Sequence, residues 1–241
     1  MKILILILFQ FGYIYISQAQ KNPCPQGRQH LLTNVNLLGR ENRHFSSAVV
    51  SLAQAQSMFT EVKKPKHRIP FGYVVEGCDM RALFVSQVIK DKLSANTFRV
   101  ALEAEDFQEL NRRTSQTQEG YVEFDRHTAT AICVFNEDKN VTEPYVLDPS
   151  FFNHVVPLAE WKNGFTNDGL IPTKTYFASQ YSLNPQVRRS RLHSGEVAEA
   201  NELRQYHLSE LDYMQKSGEK PYGVGRAAGS FEGRDFQEGV D

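Results

Sequence analysis

Cysteine is scarce in this chain: three residues in 241, at Cys24, Cys78 and Cys133. So few exclude a scaffold built on disulfides, and the domain must hold itself together by an apolar core. The count is also odd, which leaves at least one thiol unpaired in an oxidising compartment. A Cys24–Cys133 bridge would leave Cys78 free, but the sequence does not set connectivity. Charge of one sign is lacking as well. The 28 Asp and Glu against 27 Lys and Arg leave no field that would make nucleic acid or an anionic membrane surface the partner. There is no Cys-x-x-Cys or His-Glu-x-x-His spacing, and no Gly-rich loop follows a strand. Neither a metal centre nor a phosphate cradle is indicated, and no cofactor is required. Internal repeats are absent too.

Long apolar runs are missing except at the start. Lys2 precedes an apolar stretch over residues 3–9, and Ser17-Gln18-Ala19 places small residues three and one positions before a cut. This reads as a secretory signal peptide over 1–19, with the mature protein secreted or periplasmic and free of the membrane. Gln10 and Gly12 interrupt the run, which is too short to span a bilayer comfortably.

Beyond it, 20–45 is polar with weak periodicity and reads as a loose N-terminal arm. A core domain over 46–185 is expected to open with a helix capped by Ser46-Ser47 and running to about Lys64, with Val49, Leu52, Ala53 and Phe59 on one stripe. Residues 69–75 suggest a short strand, broken by Gly77. From Asp79 to about Leu93 the apolar positions Met80, Leu83, Phe84, Val88 and Ile89 recur at helical spacing, and this stripe is expected to face a sheet. Strands are expected at 98–102 and 120–124, separated by a charged connector. Residues 128–135 and 141–147 form the clearest hairpin, with turn material at 136–140 between them and Pro149 as the stop. A further strand covers 173–182. A charged helix at 186–218, ended by Gly218, and a Gly-rich mobile tail at 219–241 complete the chain.

Three residues stand out within this pattern. Cys78 follows a glycine and starts a helix, where free N–H groups and the positive end of the dipole favour a thiolate. His127 precedes the first hairpin strand and Asp148 follows the second. If the turn is centred near Asp138, paired residues have numbers summing to about 275 to 277. An odd sum puts His127 and Asp148 on one face within side-chain reach, and an even sum sends them to opposite faces. A thiol, an imidazole and a carboxylate in that arrangement are the parts of a nucleophilic acyl-transfer site. Taken singly they mean less. Cys133, between Ile132 and Val134, reads as core. His154, His193 and His207 read as solvated or internally satisfied groups, and Asp148-Pro149 alone is a strand stop. Asn140-Val141-Thr142 fits a glycosylation sequon.

The segment Ile69-Pro70-Phe71-Gly72-Tyr73-Val74-Val75-Glu76-Gly77-Cys78-Asp79-Met80-Arg81-Ala82 resembles the nucleophile segment of the bacterial protein-glutaminase family. His127-Thr128-Ala129 resembles that family's histidine strand. Tyr145-Val146-Leu147-Asp148-Pro149-Ser150-Phe151-Phe152 resembles its aspartate segment, and Trp161 falls where a tryptophan follows. The resemblance covers roughly residues 46–182, in the same order and with similar gaps.

It implies an α+β fold with a papain- and transglutaminase-like core. The nucleophile cysteine would start a helix packed on an antiparallel sheet, with the C-terminal helix as an extension. It also implies hydrolysis of protein-bound glutamine to glutamate and ammonia, with Cys78 as nucleophile, His127 as base and acid, and Asp148 orienting the ring. The partners would be protein or peptide substrates bearing glutamine, and the protein a monomer. Transglutaminase, cysteine peptidase, toxin-type deamidase and, last, a non-enzymatic binding protein are the alternatives. The chain departs from the family pattern at Arg126, where an aromatic residue is expected, in the absence of extra cysteines after Trp161, in lacking a long pro-segment and in the extension from Arg188 onward.

Overall fold

A computed structural model describes residues 23–25, 34–38, 44–105, 108–181 and 194–221. The expected signal peptide, the basic cluster at 188–191, His193 and residues 222–241 lie outside the described residues. No helix among the described residues is long and apolar enough to cross a membrane.

Nine strands and four helices lie among the described residues. They are β1 (Asn34–Leu38), β2 (His44–Ser51), α1 (Leu52–Val62), α2 (Cys78–Leu93), β3 (Phe98–Ala104), β4 (Leu110–Arg113) and β5 (Tyr121–Phe124). There follow β6 (Arg126–Asn136), β7 (Val141–Leu147), β8 (Val156–Pro157), α3 (Leu158–Asn163), β9 (Thr173–Ser179) and α4 (Ser194–Ser217). Strand β6 is the axis of a seven-stranded sheet. Thr130 and Ala131 pair with both β3 and β7, so those two strands flank β6 on opposite edges. Strand β2 follows β3 along the same edge and is parallel to β6 over Cys133–Phe135; every other pair in the sheet is antiparallel. Strands β4 and β5 form a separate hairpin.

Alternation along β6 separates two cores, because successive side chains leave opposite faces of a strand. Ala129, Ala131 and Cys133 face a layer containing Leu110, Val122, Phe124, Trp161 and Phe165. Ile132 and Val134 face α1 and α2 through Met58, Phe59, Val62, Val85 and Ile89. Cys24 is bridged to Cys133 across 109 residues of sequence, which ties the N-terminal segment to β6 and leaves Cys78 as the free thiol among the described residues. Closing a loop of that length removes chain entropy worth up to about 4–5 kcal/mol in the unfolded state.

Several expectations are corrected. Residues 44–51 form a strand, and the first helix begins at Leu52. Its cap is Ser51, in a reciprocal box with Gln54, rather than Ser46-Ser47. The reason is tertiary: β2 gains pairing partners on both sides, from β1 and from the far end of β6. The expected stripe shifts with the helix, so Leu52 is 49% exposed while Ala55, Met58, Phe59 and Val62 are buried. Residues 34–38, placed in the loose arm, pair with β2. Residues 69–75 form consecutive turns with Tyr73 N–H donating to Pro70 O (3.2 Å), and no strand forms there. Pro70 has no N–H to give a ladder. Helix α2 turns a different side to the sheet than expected. Val85 and Ile89 face β6, whereas Met80 and Leu83 pack with Ala200 and Leu203 of α4.

Candidate active site

The hairpin register settles whether His127 and Asp148 can meet. Thr130 pairs with Leu147 and Ile132 with Tyr145, an odd register. Asp148 therefore stands one diagonal from His127 on the same face. His127 Nε2 lies 2.8 Å from Asp148 Oδ2, and both groups are buried. The indole Nε1–H of Trp161 donates to the same carboxylate oxygen at 3.0 Å. Two donors on one oxygen fix the carboxylate, and the carboxylate fixes the ring.

The imidazole sits in an aromatic cage. Phe124 stacks on it with ring centroids 5.0 Å apart, Phe165 lies at 4.5 Å, and Phe151 meets it edge-on at 5.3 Å. Burial in this cage works against the charged ring. The Asp148 charge, the Asp148 hydrogen bond and Cys78 together outweigh it, and the imidazole is raised from the ordinary 6.5 to about 9. A shift of that size amounts to about 3 kcal/mol in favour of imidazolium. For Asp148, burial also opposes the charge. His127, the Trp161 hydrogen bond and Arg81 prevail, and its carboxyl is held below the ordinary 3.8.

Cys78 is delivered from a different element. Gly77 stands at φ +72°, in the left-handed region that favours glycine. It reverses the chain so that Cys78 becomes the first residue of α2, where amide N–H groups have no intrahelical partner. Thr130 Oγ1 donates to Ala82 O at 2.8 Å and lies 3.3 Å from Ser86 Oγ, tethering α2 to β6 one turn beyond Cys78. Pairing between β6 and β7 ends at Thr130. Just past that point Cys78, Arg81, His127, Thr128 and Asp148 line one small cavity. His127 Nδ1 is buried without a hydrogen-bond partner of its own, while the Cys78 side chain is close enough to raise the imidazole. The structure thus brings all three sequence-predicted residues together. The ring turns one nitrogen to the carboxylate and leaves the other for the thiol.

Other residues of the site were not singled out by sequence. Arg81 is buried one turn after Cys78, and its Nη1 donates to the carbonyls of Tyr73 and Glu76, each at 2.5 Å. It braces the loop that leads into the Cys78 turn. Asp79 is buried between Arg126 (3.3 Å) and Arg99 (3.8 Å). His154 is exposed, as expected of a solvated histidine, whereas His207 is fully buried against the Cys78 turn. The stripe Ala200, Leu203, His207, Leu211 along α4 was the available signal for it, since these positions recur at three- and four-residue intervals.

A sequence model of the glutaminase family matches residues 55–165, a segment that holds Cys78, His127 and Asp148. That segment is similar to the glutaminase family. The match indicates an amidohydrolase acting on carbon–nitrogen bonds other than peptide bonds. No curated protein matches the chain. Among solved structures, a crystal structure of pro-protein-glutaminase shares 19% identity over 76% of this chain and 62% of its own, with a TM-score of 0.53. A crystal structure of protein-glutaminase shares 19% identity over 64% of this chain and 85% of its own, with a TM-score of 0.50. The protein-glutaminase of Chryseobacterium proteolyticum, solved by NMR, shares 20% identity over 59% of this chain and 77% of its own, at a TM-score of 0.48. At these identities the likeness to the two crystal structures is one of fold: helices with a largely antiparallel sheet. Helix α4 lies outside the segment matched by the glutaminase family.

Proposed function

We propose that this chain is a protein-glutamine deamidase with a papain- and transglutaminase-like core, working through Cys78, His127 and Asp148. The observation that carries this reading is the convergence of those three residues on one cavity, in that chain order, inside the segment matched by the glutaminase family. The Cys78 thiolate adds to the side-chain Cδ of a glutamine in a protein substrate. Amide N–H groups at the start of α2 receive the developing oxyanion. Imidazolium at His127 gives its proton to the departing ammonia, leaving a thioester on Cys78. A water molecule, deprotonated by the now neutral ring, attacks the thioester. Glutamate leaves, and the proton returns the site to its starting state. Asp148 holds the ring and stabilises its charged form throughout. The leader at 1–19 supports a secreted or periplasmic location, and we place the enzyme there as a monomer acting on extracellular protein or peptide.

Intact-mass analysis of casein or a glutamine peptide tests the reaction. Deamidation appears as a gain of about one dalton per site with matching ammonia release. Crosslinking to an added amine would mean transglutaminase, new backbone termini would mean a peptidase, and no change would remove the enzymatic reading.

A pH profile follows from the raised imidazole. With His127 at about 9, kcat/KM is expected to hold through neutral pH and fall on the alkaline side with a midpoint near 9, as the proton needed by the leaving ammonia is lost. Stability has its own signature. The His127 contribution is complete below the unfolded value of 6.5 and disappears as pH rises through about 9. The Asp148 contribution is complete above 3.8 and is lost as pH falls through its lowered value. Chemical denaturation across the pH range should therefore show a plateau between about 4 and 6.5 for this pair. An activity profile with its alkaline midpoint at 7 or below would contradict the assigned pair.

A further inference from the structure

Helix α4 makes a narrow contact with the body of the protein. Of its described side chains only Ala200 and His207 are buried. Ala200 joins Met80 and Leu83 on the outer side of α2. His207 goes to the turn that carries Cys78. It is 0% exposed, and its Nε2 lies 3.1 Å from Glu76 Oε1. Its ring stacks on Tyr73 with centroids 4.3 Å apart. A side chain at Gly77 would place its Cβ 2.3 Å from His207 Cε1, so the ring occupies the volume that glycine leaves empty. Glu76 is thereby held twice. Arg81 bonds its carbonyl from inside the fold, and His207 bonds its carboxylate from α4. The residue clamped from both sides is two positions before the sulfur.

We propose that His207 is a positioning residue for Cys78: from α4 it clamps the Glu76–Gly77 turn so that the sulfur faces His127. This rests on reading Cys78 as the nucleophile. It assigns α4, which lies outside the family segment, to the catalytic apparatus of this enzyme. A thiol displaced by about 1 Å loses on the order of 100-fold in rate while substrate binding is little altered.

The test uses the full-length protein and four variants, with kcat and KM for glutamine-peptide deamidation and the iodoacetamide alkylation rate of Cys78 as readouts. His207→Phe keeps a ring on Tyr73 but loses the bond to Glu76. It should lower kcat about 10- to 100-fold, leave KM within about twofold, and slow alkylation in parallel. His207→Gln can still donate to Glu76 and should recover most of that loss. Glu76→Ala removes the acceptor without touching the buried ring. It should reproduce the Phe phenotype, and adding His207→Phe to it should cost nothing further. If His207→Phe does not fold, Glu76→Ala carries the test. Wild-type kcat and alkylation in folded His207→Phe or in Glu76→Ala would overturn the proposal, even if thermal stability fell. A wild-type enzyme that deamidates nothing, yet whose Cys78 alkylation slows in the variants, would sink the deamidase reading and leave the positioning role standing.

Discussion

Cys78→Ser removes ammonia release, by on the order of 10,000-fold or more, and leaves the fold intact. A cysteine attacks through a soft, intrinsically nucleophilic sulfur, whereas a serine hydroxyl in the same place must be deprotonated during the attack. The base available to it is already engaged: His127 at about 9 is protonated at pH 7. A site whose imidazole is already protonated therefore has nothing with which to activate a hydroxyl. Stability should change little, because Cys78 is only half-buried and serine differs from it by one atom. Labelling gives an independent reading. With Cys24 and Cys133 bridged, the wild type should take up one iodoacetamide per molecule at Cys78 and the serine variant none. Ammonia release from Cys78→Ser at the wild-type rate would place the nucleophile elsewhere.

What could be read from the sequence here was local or arithmetical. The hairpin over β6 and β7 announced itself by its β-branched strands and five-residue turn. Its odd register sum, two values of which were open, turned out to be 277 from Thr130 opposite Leu147. That one parity decided whether His127 and Asp148 shared a face. Helix α2 was legible from Gly77 and from its spacing, and α4 from its length and Gly218. Elements whose partners lie far along the chain were not legible. Residues 46–50 look helical until β1 pairs with 44–48 and β6, more than 80 positions later, pairs with 49–51. The orientation of α2 depended on α4, which takes the Met80 and Leu83 side and leaves Val85 and Ile89 to the sheet. The supporting polar groups were hidden for the same reason. Nothing local tells Thr130 to bond Ala82, Arg81 to bond Tyr73 and Glu76, or His207 to fill the space over Gly77.

Asp148→Asn carries the second large effect, and its size separates charge from geometry. Oδ2 of Asp148 accepts from His127 Nε2 and from Trp161 Nε1. An asparagine can present its carbonyl oxygen to both donors. Turning the amide around would aim its NH2 at two N–H groups at once, so Trp161 keeps the amide in the acceptor orientation. The hydrogen bonds and the ring tautomer should then survive, and what is lost is the negative charge. Burial is the largest single influence on His127 and disfavours its proton. Without the carboxylate it goes largely unopposed, and the ring becomes neutral at a pH where the reaction needs imidazolium. The rate should fall about 1,000- to 10,000-fold, as when the aspartate of an acyl-transfer triad is neutralised. The alkaline limb near 9 should move down with it. Trp161→Phe makes the complementary case. It keeps the charge and loosens its aim, so the limb should stay near 9 while the rate drops by about tenfold, the value of one hydrogen bond to a charged group. If Asp148→Asn slowed the enzyme but left the limb at 9, the carboxylate would be acting through geometry alone. The charge would then have to be supplied by another group, and Cys78 is the other side chain that raises the ring.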